Sequence, residues 1–332
     1  MDRRDNHERS TMTTLLMLPP QTPITRDWAA RVAAAVPALT VVVAEDGAHA
    51  TREIGRADAA FGTPSPALLS QAGRLRWLQA PQAAPPAGYY HDALIAHPAV
   101  VTSFREIYND HIGAHIMAFV LAFARGLHHY LPLQLRREWK PAPMDTGVVH
   151  LPEATALIVG VGGIGSEAAR LAEAFGMRVI GIDARRREAP PGVSKLDGPD
   201  ALDSLLPEAD FVILTVPHTP ETQGFMHRAR FQRMKRSAFF INIGRGMTTR
   251  LDDLVAALRA GEIAGAALDV FEQEPLPADH PLWTMPNVLI TPHTAGHGPY
   301  LDDRRCEILL DNCRRFLADQ PLRNVVDKSR WF

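Results

Sequence analysis

Apolar positions along the chain fall into short runs separated by stretches with helical spacing. Residues 14–18 read as a buried strand. Trp28, Val32, Val36 and Leu39 follow at offsets of 4, 8 and 11, one face of a helix. Residues 40–44 read as a second strand, 66–79 as helix, turn and strand, and 100–103 close this first series. Residues 107–140 predict one long helical stretch with Ile112, Ile116, Phe119, Val120 and Phe123 on one stripe, ended by Pro141 and Pro143. A second, more regular series begins at Ala154. Strands are predicted at 156–160, 178–183, 211–216, 238–243, 264–268 and 288–290, with a helix over 164–175. Gly296, Gly298 and Pro299 interrupt the pattern as a hinge would. A last helix over 300–317 carries Cys306, Leu309, Leu310, Cys313 and Leu317 on one side. Short apolar strands alternating with helices predict doubly wound α/β structure, with parallel sheets covered on both faces. Residues 1–12, polar and aperiodic, read as a loose tail.

The 332 residues suggest two domains. A chain that is 46% hydrophobic and 22% charged has globular composition. The formal charge of −2 offers no electrostatic case for nucleic acid or an anionic membrane. The longest apolar run, 116–124, is about half of what a membrane span needs. The run 15–18 is too short for a signal peptide, so the expectation is a soluble, cytoplasmic protein. Cys306 and Cys313, seven residues apart on a helix, lie about 10 Å apart along its axis, too far to pair. No Cys/His cluster has zinc-ligand spacing, so no metal is expected.

The chemistry begins at Gly160-Val161-Gly162-Gly163-Ile164-Gly165, which follows an apolar strand and opens an amphipathic helix. Alone, such a run is also consistent with a tight structural turn. Here a second strand ends in Asp183, 18 residues after Gly165, which completes a dinucleotide-binding βαβ pattern. Glycines let the backbone approach a pyrophosphate, and the helix N-terminus supplies N–H groups and partial positive charge. Asp183 is expected to accept the adenosine ribose hydroxyls and to favour NAD. Arg185, Arg186 and Arg187 read either as a solvated turn or as a phosphate clamp, with NADP as the alternative.

Four further segments complete the set: 216–222 (VPHTPET), 241–246 (INIGRG), 267–275 (ALDVFEQEP) and 291–296 (TPHTAG). With the glycine motif they resemble the D-isomer-specific 2-hydroxyacid dehydrogenases. The match is dense from 154 to 296 and weaker on both sides. The resemblance implies a Rossmann NAD-binding domain, 109–297, inserted into a flavodoxin-like substrate-binding domain made of 13–108 and 298–326. It implies Arg245, Glu274 and His293 as the catalytic set. A proton donor that is charged near neutral pH and neutral afterwards suits His293. Glu274 would hold the other ring nitrogen, and the planar fork of Arg245 would grip carboxylate and carbonyl oxygens. Gly160, Gly162, Gly163, Ile164, Gly165, Asp183, Pro217, Thr222, Ile243, Gly244, Asp269, Ala295 and Gly296 would line the cofactor cleft, with Asp269 on the nicotinamide side. The resemblance further implies a small 2-hydroxy or 2-keto acid substrate and a homodimer formed through the helix after Asn109.

The chain departs from the family in the loop after Gln79. If Ala84 stands where the family carries a carboxylate-binding glycine, Pro85 follows it and has no N–H to donate. Two functions are therefore weighed: an oxidoreductase, and a dinucleotide-sensing, corepressor-like protein with little turnover.

Overall fold

The computed structural model describes residues 12–83, 88–141 and 147–329. The expected tail (as far as residue 11), Pro143 and the Ala84-Pro85 pair lie outside the described residues. The chain divides into two compact units, 1–107 with 299–332, and 108–298.

The first unit is built on β1 (Thr13–Met17), β2 (Leu39–Val43), β3 (Ala59–Phe61), β4 (Trp77–Gln79) and β5 (Val100–Thr102). All pair in parallel, in the order β2-β1-β3-β4-β5, the flavodoxin-like winding. Helices α1 (Pro23–Ala35), α2 (Gly47–Glu53), α3 (Pro66–Leu69) and α4 (Asp92–Ala96) connect them. Leu39 opens β2 and is not on the α1 face. Pro37 disfavours helical backbone at Val36, which sits at φ −135°, ψ 68° and ends the helix. Strand β3 is absent from the apolar pattern because its three residues give no measurable alternation.

The second unit opens with α5 (Asn109–Ala124) and α6 (Leu127–Leu135). These replace the single helix expected over 107–140. Gly126 adopts φ 67°, a left-handed conformation that breaks the hydrogen-bond ladder, and the two helices meet at 76°. Then come β6 (Thr155–Val159), α7 (Gly163–Ala174), β7 (Arg178–Ile182), β8 (Lys195–Asp197), α8 (Leu202–Leu205), β9 (Phe211–Leu214), α9 (Arg228–Phe231), β10 (Phe239–Asn242), α10 (Leu251–Arg259), β11 (Gly265–Leu268) and β12 (Val288–Ile290). The seven strands are parallel, in the order β12-β11-β10-β9-β6-β7-β8, the Rossmann winding with one strand added. Leu157, Val159, Val212 and Leu214 enter one core cluster. Their neighbours Ala156, Ile158, Phe211 and Ile213 enter another. Burial on both faces explains why these strands read as continuous apolar runs.

The chain returns to the first unit through α11 (Leu301–Leu317), where Cys306 and Cys313 are buried free thiols. Among the described residues no single helix is long and apolar enough to cross a membrane. Only α5 and α6, taken together across their bend, pass by length and composition.

Candidate active site

Every strand of a parallel sheet points the same way, so residues just past the strand ends share one edge. In the second unit that edge carries Gly160 after β6, Asp183 after β7, Pro217 beyond β9, Ile243 after β10, Asp269 after β11 and His293 beyond β12. The strand order reverses between β6 and β9, the kind of switch point at which open α/β sheets bind ligands.

Gly160 turns the chain at φ 95° and donates its N–H to Ile182 O at 2.7 Å. A Cβ on Gly165 would overlap Gly160 O, so only glycine lets α7 start this close to β6. Gly162 is the N-cap of α7 and offers no side-chain acceptor. The first N–H groups of that helix thus have no side-chain cap. Gly163 and Ile164 form its first turn. Thr222 closes the turn beyond β9: its hydroxyl donates to Pro217 O and accepts from Thr219 N–H, both at 2.7 Å.

Asp183 is committed to the backbone. One oxygen accepts Val161 N–H at 2.9 Å; the other accepts the N–H groups of Arg185 and Arg186 at 2.8 and 2.9 Å. The carboxylate therefore locks the glycine loop to the turn that presents the arginines.

Arg245 is organised by a residue that the sequence pattern does not flag. Asn242, 1% exposed, reaches Arg245 O, Thr248 Oγ1 and Thr249 Oγ1 with its amide nitrogen, while its oxygen accepts Gly244 N–H at 3.0 Å. The guanidinium of Arg245 donates to Gly244 O at 2.6 Å. Burial pushes it below its ordinary pKa, and the Glu274 carboxylate opposes that shift.

His293 and Glu274 meet directly. Nδ1 of His293 lies 2.7 Å from Glu274 Oε2, and Glu274 Oε1 accepts Phe271 N–H at 2.9 Å. The imidazole is half exposed and its backbone holds φ 55°. Asp269, 1% exposed, accepts Thr294 N–H and Ala295 N–H at 2.8 and 2.9 Å. Gly296 lies against the ring of Tyr108. Among the described residues no group of three or more His, Cys, Asp or Glu side chains has a metal-holding arrangement.

Paired with this geometry, the sequence comparisons identify the family. A model of the D-isomer specific 2-hydroxyacid dehydrogenase NAD binding domain matches residues 117–295. The chain belongs to the D-isomer specific 2-hydroxyacid dehydrogenase family. It is similar to the uncharacterized protein in the proB 3′ region of Corynebacterium melassecola, 32% identical over 87% of this chain and 94% of that one. It is 36% identical to glyoxylate/hydroxypyruvate reductase B of Citrobacter koseri, over 71% and 73% of the two chains. Among solved structures, a D-isomer specific 2-hydroxyacid dehydrogenase from Xanthobacter autotrophicus Py2, in complex with NADPH and MES, superposes with a TM-score of 0.82. Its identity is 30%, and 97% of this chain and 100% of that one are covered. The second unit is thus a nicotinamide-dinucleotide-binding domain, and the family's chemistry is hydride transfer on hydroxy and keto acids.

Proposed function

We propose that the chain reduces a small 2-keto acid of the glyoxylate or hydroxypyruvate class, with Arg245, Glu274 and His293 as its catalytic residues. The observation that carries this reading is the His293–Glu274 pair at 2.7 Å. When bound, the dinucleotide supplies the hydride. His293 supplies the proton: Glu274 accepts from Nδ1–H, so Nε2 is the atom that gives its proton to the substrate oxygen and takes it back in oxidation. Phe271 N–H holds the second oxygen of Glu274, which fixes the carboxylate. Arg245 binds the substrate carboxylate and polarises the carbonyl. His293→Ala is expected to lower turnover about a hundredfold to ten-thousandfold, with dinucleotide affinity little changed. Keto-acid reduction near the parent rate would remove His293 from this role. A second reading, dinucleotide sensing without turnover, is preferred if a broad panel of 2-keto acids leaves both NADH and NADPH unoxidised.

The cofactor choice follows from Asp183. A carboxylate has about four acceptor sites, and three here hold backbone N–H groups. One site remains for two ribose hydroxyls, so the charge of Asp183 discriminates weakly. The neighbouring arginines favour a 2′-phosphate, and NADPH is the proposed reductant, with NADH second. Asp183→Ala is expected to weaken both dinucleotides, because it frees the glycine loop. Loss of NADH binding alone in a fluorescence titration would return the ribose role to Asp183.

Leu131, Leu135 and Trp139 are exposed on and just after α6, at 51%, 86% and 95%. With the family resemblance they support a homodimer joined through α5 and α6. Sedimentation of the parent beside a Leu135→Glu, Trp139→Glu double variant tests it; a parent that sediments as a monomer refutes it.

A further inference from the structure

The loop that carries His293 is tied almost entirely to one buried residue. Asp269 O accepts His293 N–H at 2.8 Å. The Asp269 carboxylate accepts the Thr291 hydroxyl at 2.6 Å and the N–H groups of Thr294 and Ala295. These bonds hold His293 at φ 55°, a left-handed conformation that costs a side-chain-bearing residue about 1 kcal/mol or more. A histidine there relaxes unless its surroundings over-determine it.

The chain of bonds runs one step further. Thr291 has one hydroxyl proton, and Asp269 takes it. His115 Nε2 lies 3.0 Å from the same hydroxyl oxygen, so it must donate. The neutral ring of His115 is thereby fixed with its proton on Nε2. It stands 4.0 Å from Asp269 Oδ1, and Thr291 bridges the gap. His115 belongs to α5, with its ring edge-to-face against Phe119 at 4.6 Å. Burial also pushes its pKa below the ordinary histidine value, which keeps it neutral. The distances thus link α5 to the backbone of the proposed acid through one hydroxyl and one carboxylate.

We propose that His115 and Thr291 are positioning residues for the reaction, acting through Asp269 to hold the His293 loop in its productive backbone conformation. The inference rests on the reading of His293 as the proton donor. Neither residue exchanges a proton with substrate; each removes an alternative orientation of the loop. Small displacements of a reacting group cost up to about a hundredfold in rate.

The test compares Thr291→Val, which keeps the shape and loses the hydroxyl, with Thr291→Ser, which keeps the hydroxyl. Thr291→Val is expected to lower kcat about tenfold, with KM for the keto acid and the dissociation constant for NADPH within about twofold of the parent. Thr291→Ser should recover most of the rate. His115→Gln, which can still donate, should outperform His115→Leu. A parent-like kcat in Thr291→Val, or equal losses in Val and Ser, overturns the proposal. If Thr291→Val fails to fold, the Gln and Leu variants at 115 decide: equal rates overturn it, and a faster Gln variant supports it. His293→Ala is measured alongside. Retained turnover there sinks the functional reading, whereas its collapse with no effect at Thr291 sinks only the relay.

Discussion

The two parallel sheets begin alike and part at the first helix. In the first unit, Asp58 N–H donates to Thr14 O, and the Asp58 carboxylate accepts Thr14 N–H at 2.9 Å and Arg74 at 2.8 Å. In the second, Asp210 N–H donates to Thr155 O, and its carboxylate accepts Thr155 N–H at 2.9 Å and Lys235 at 2.8 Å. One aspartate thus clamps the first strand of each unit to the strand beside it. The helix after the first strand is then treated in opposite ways. Thr22 and Thr25 cap α1 reciprocally, side chain to backbone, and Pro23 removes one donor outright. The Gln21 amide donates to Met17 O, Leu18 O and Ala44 O at 3.0 Å each, filling the space at the strand ends. Glu45, after β2, is paired with Arg26 of α1. At α7 the cap is Gly162, without a side chain, and Asp183 shapes the loop. Two doubly wound sheets thus differ at the first helix, whose N-terminus carries a side-chain cap in one and none in the other. One unit caps its own helix with side chains, and the other leaves those N–H groups open.

Closing the open end is the largest way to break the contrast. A Cβ on Gly162 meets nothing within 4 Å, and its backbone is extended, so Gly162→Asp fits and caps α7 as Thr22 caps α1. The carboxylate would take the N–H groups and repel a pyrophosphate. Affinity for NADPH and NADH should fall about a hundredfold, equivalent to about 2.7 kcal/mol, while the thermal midpoint holds or rises slightly. Unchanged cofactor binding by fluorescence titration would mean that the pyrophosphate does not sit at α7.

The shared clamp gives a smaller effect. Asp58→Ala and Asp210→Ala each strand a strand-edge N–H that had a charged acceptor. Each should cost about 1–2 kcal/mol in denaturant unfolding, with faster exchange at Thr14 in one and at Thr155 in the other. If only one variant is destabilised, the two aspartates are not equivalent devices.

The smallest expected difference is with pH. Burial lowers the pKa of His115 and His128 in the second unit, and of His97 in the first. A base whose folded pKa lies below its unfolded value leaves the unfolded chain binding more protons. Stability is therefore full above about 6.5, the unfolded histidine value, and declines as pH falls from there toward the folded pKa. Two such groups against one predict that the second unit loses amide protection first as pH falls below about 6.5. Equal loss in both sheets would discount His115 and His128, and His128→Leu should narrow the gap.

Much of this was legible before any tertiary contact was known. Strands buried on both faces announce themselves as apolar runs, and glycines at a strand-to-helix turn announce close backbone approach. The placement of Arg245, Glu274, Asp269 and His293 beyond strand ends was legible because each lies within a recognisable run. Strands β3 and β8, three residues each, were not, since so few positions carry no period. Nor was the break at Gly126, because the apolar stripe runs on across it.

Local sequence determined which segments become strands and helices, and where backbone N–H groups are left open, because those depend on neighbours a few residues away. The tertiary structure alone decided which polar groups complete one another. His115 reaches Thr291 across 176 positions, and Asn242 looks like a strand residue until the loop beyond it folds back. Asp183 looks like a free carboxylate until Val161 N–H arrives from the preceding strand end. A hydrogen bond is specified by position and angle within a few tenths of an ångström, and only the assembled sheet brings distant segments to that precision.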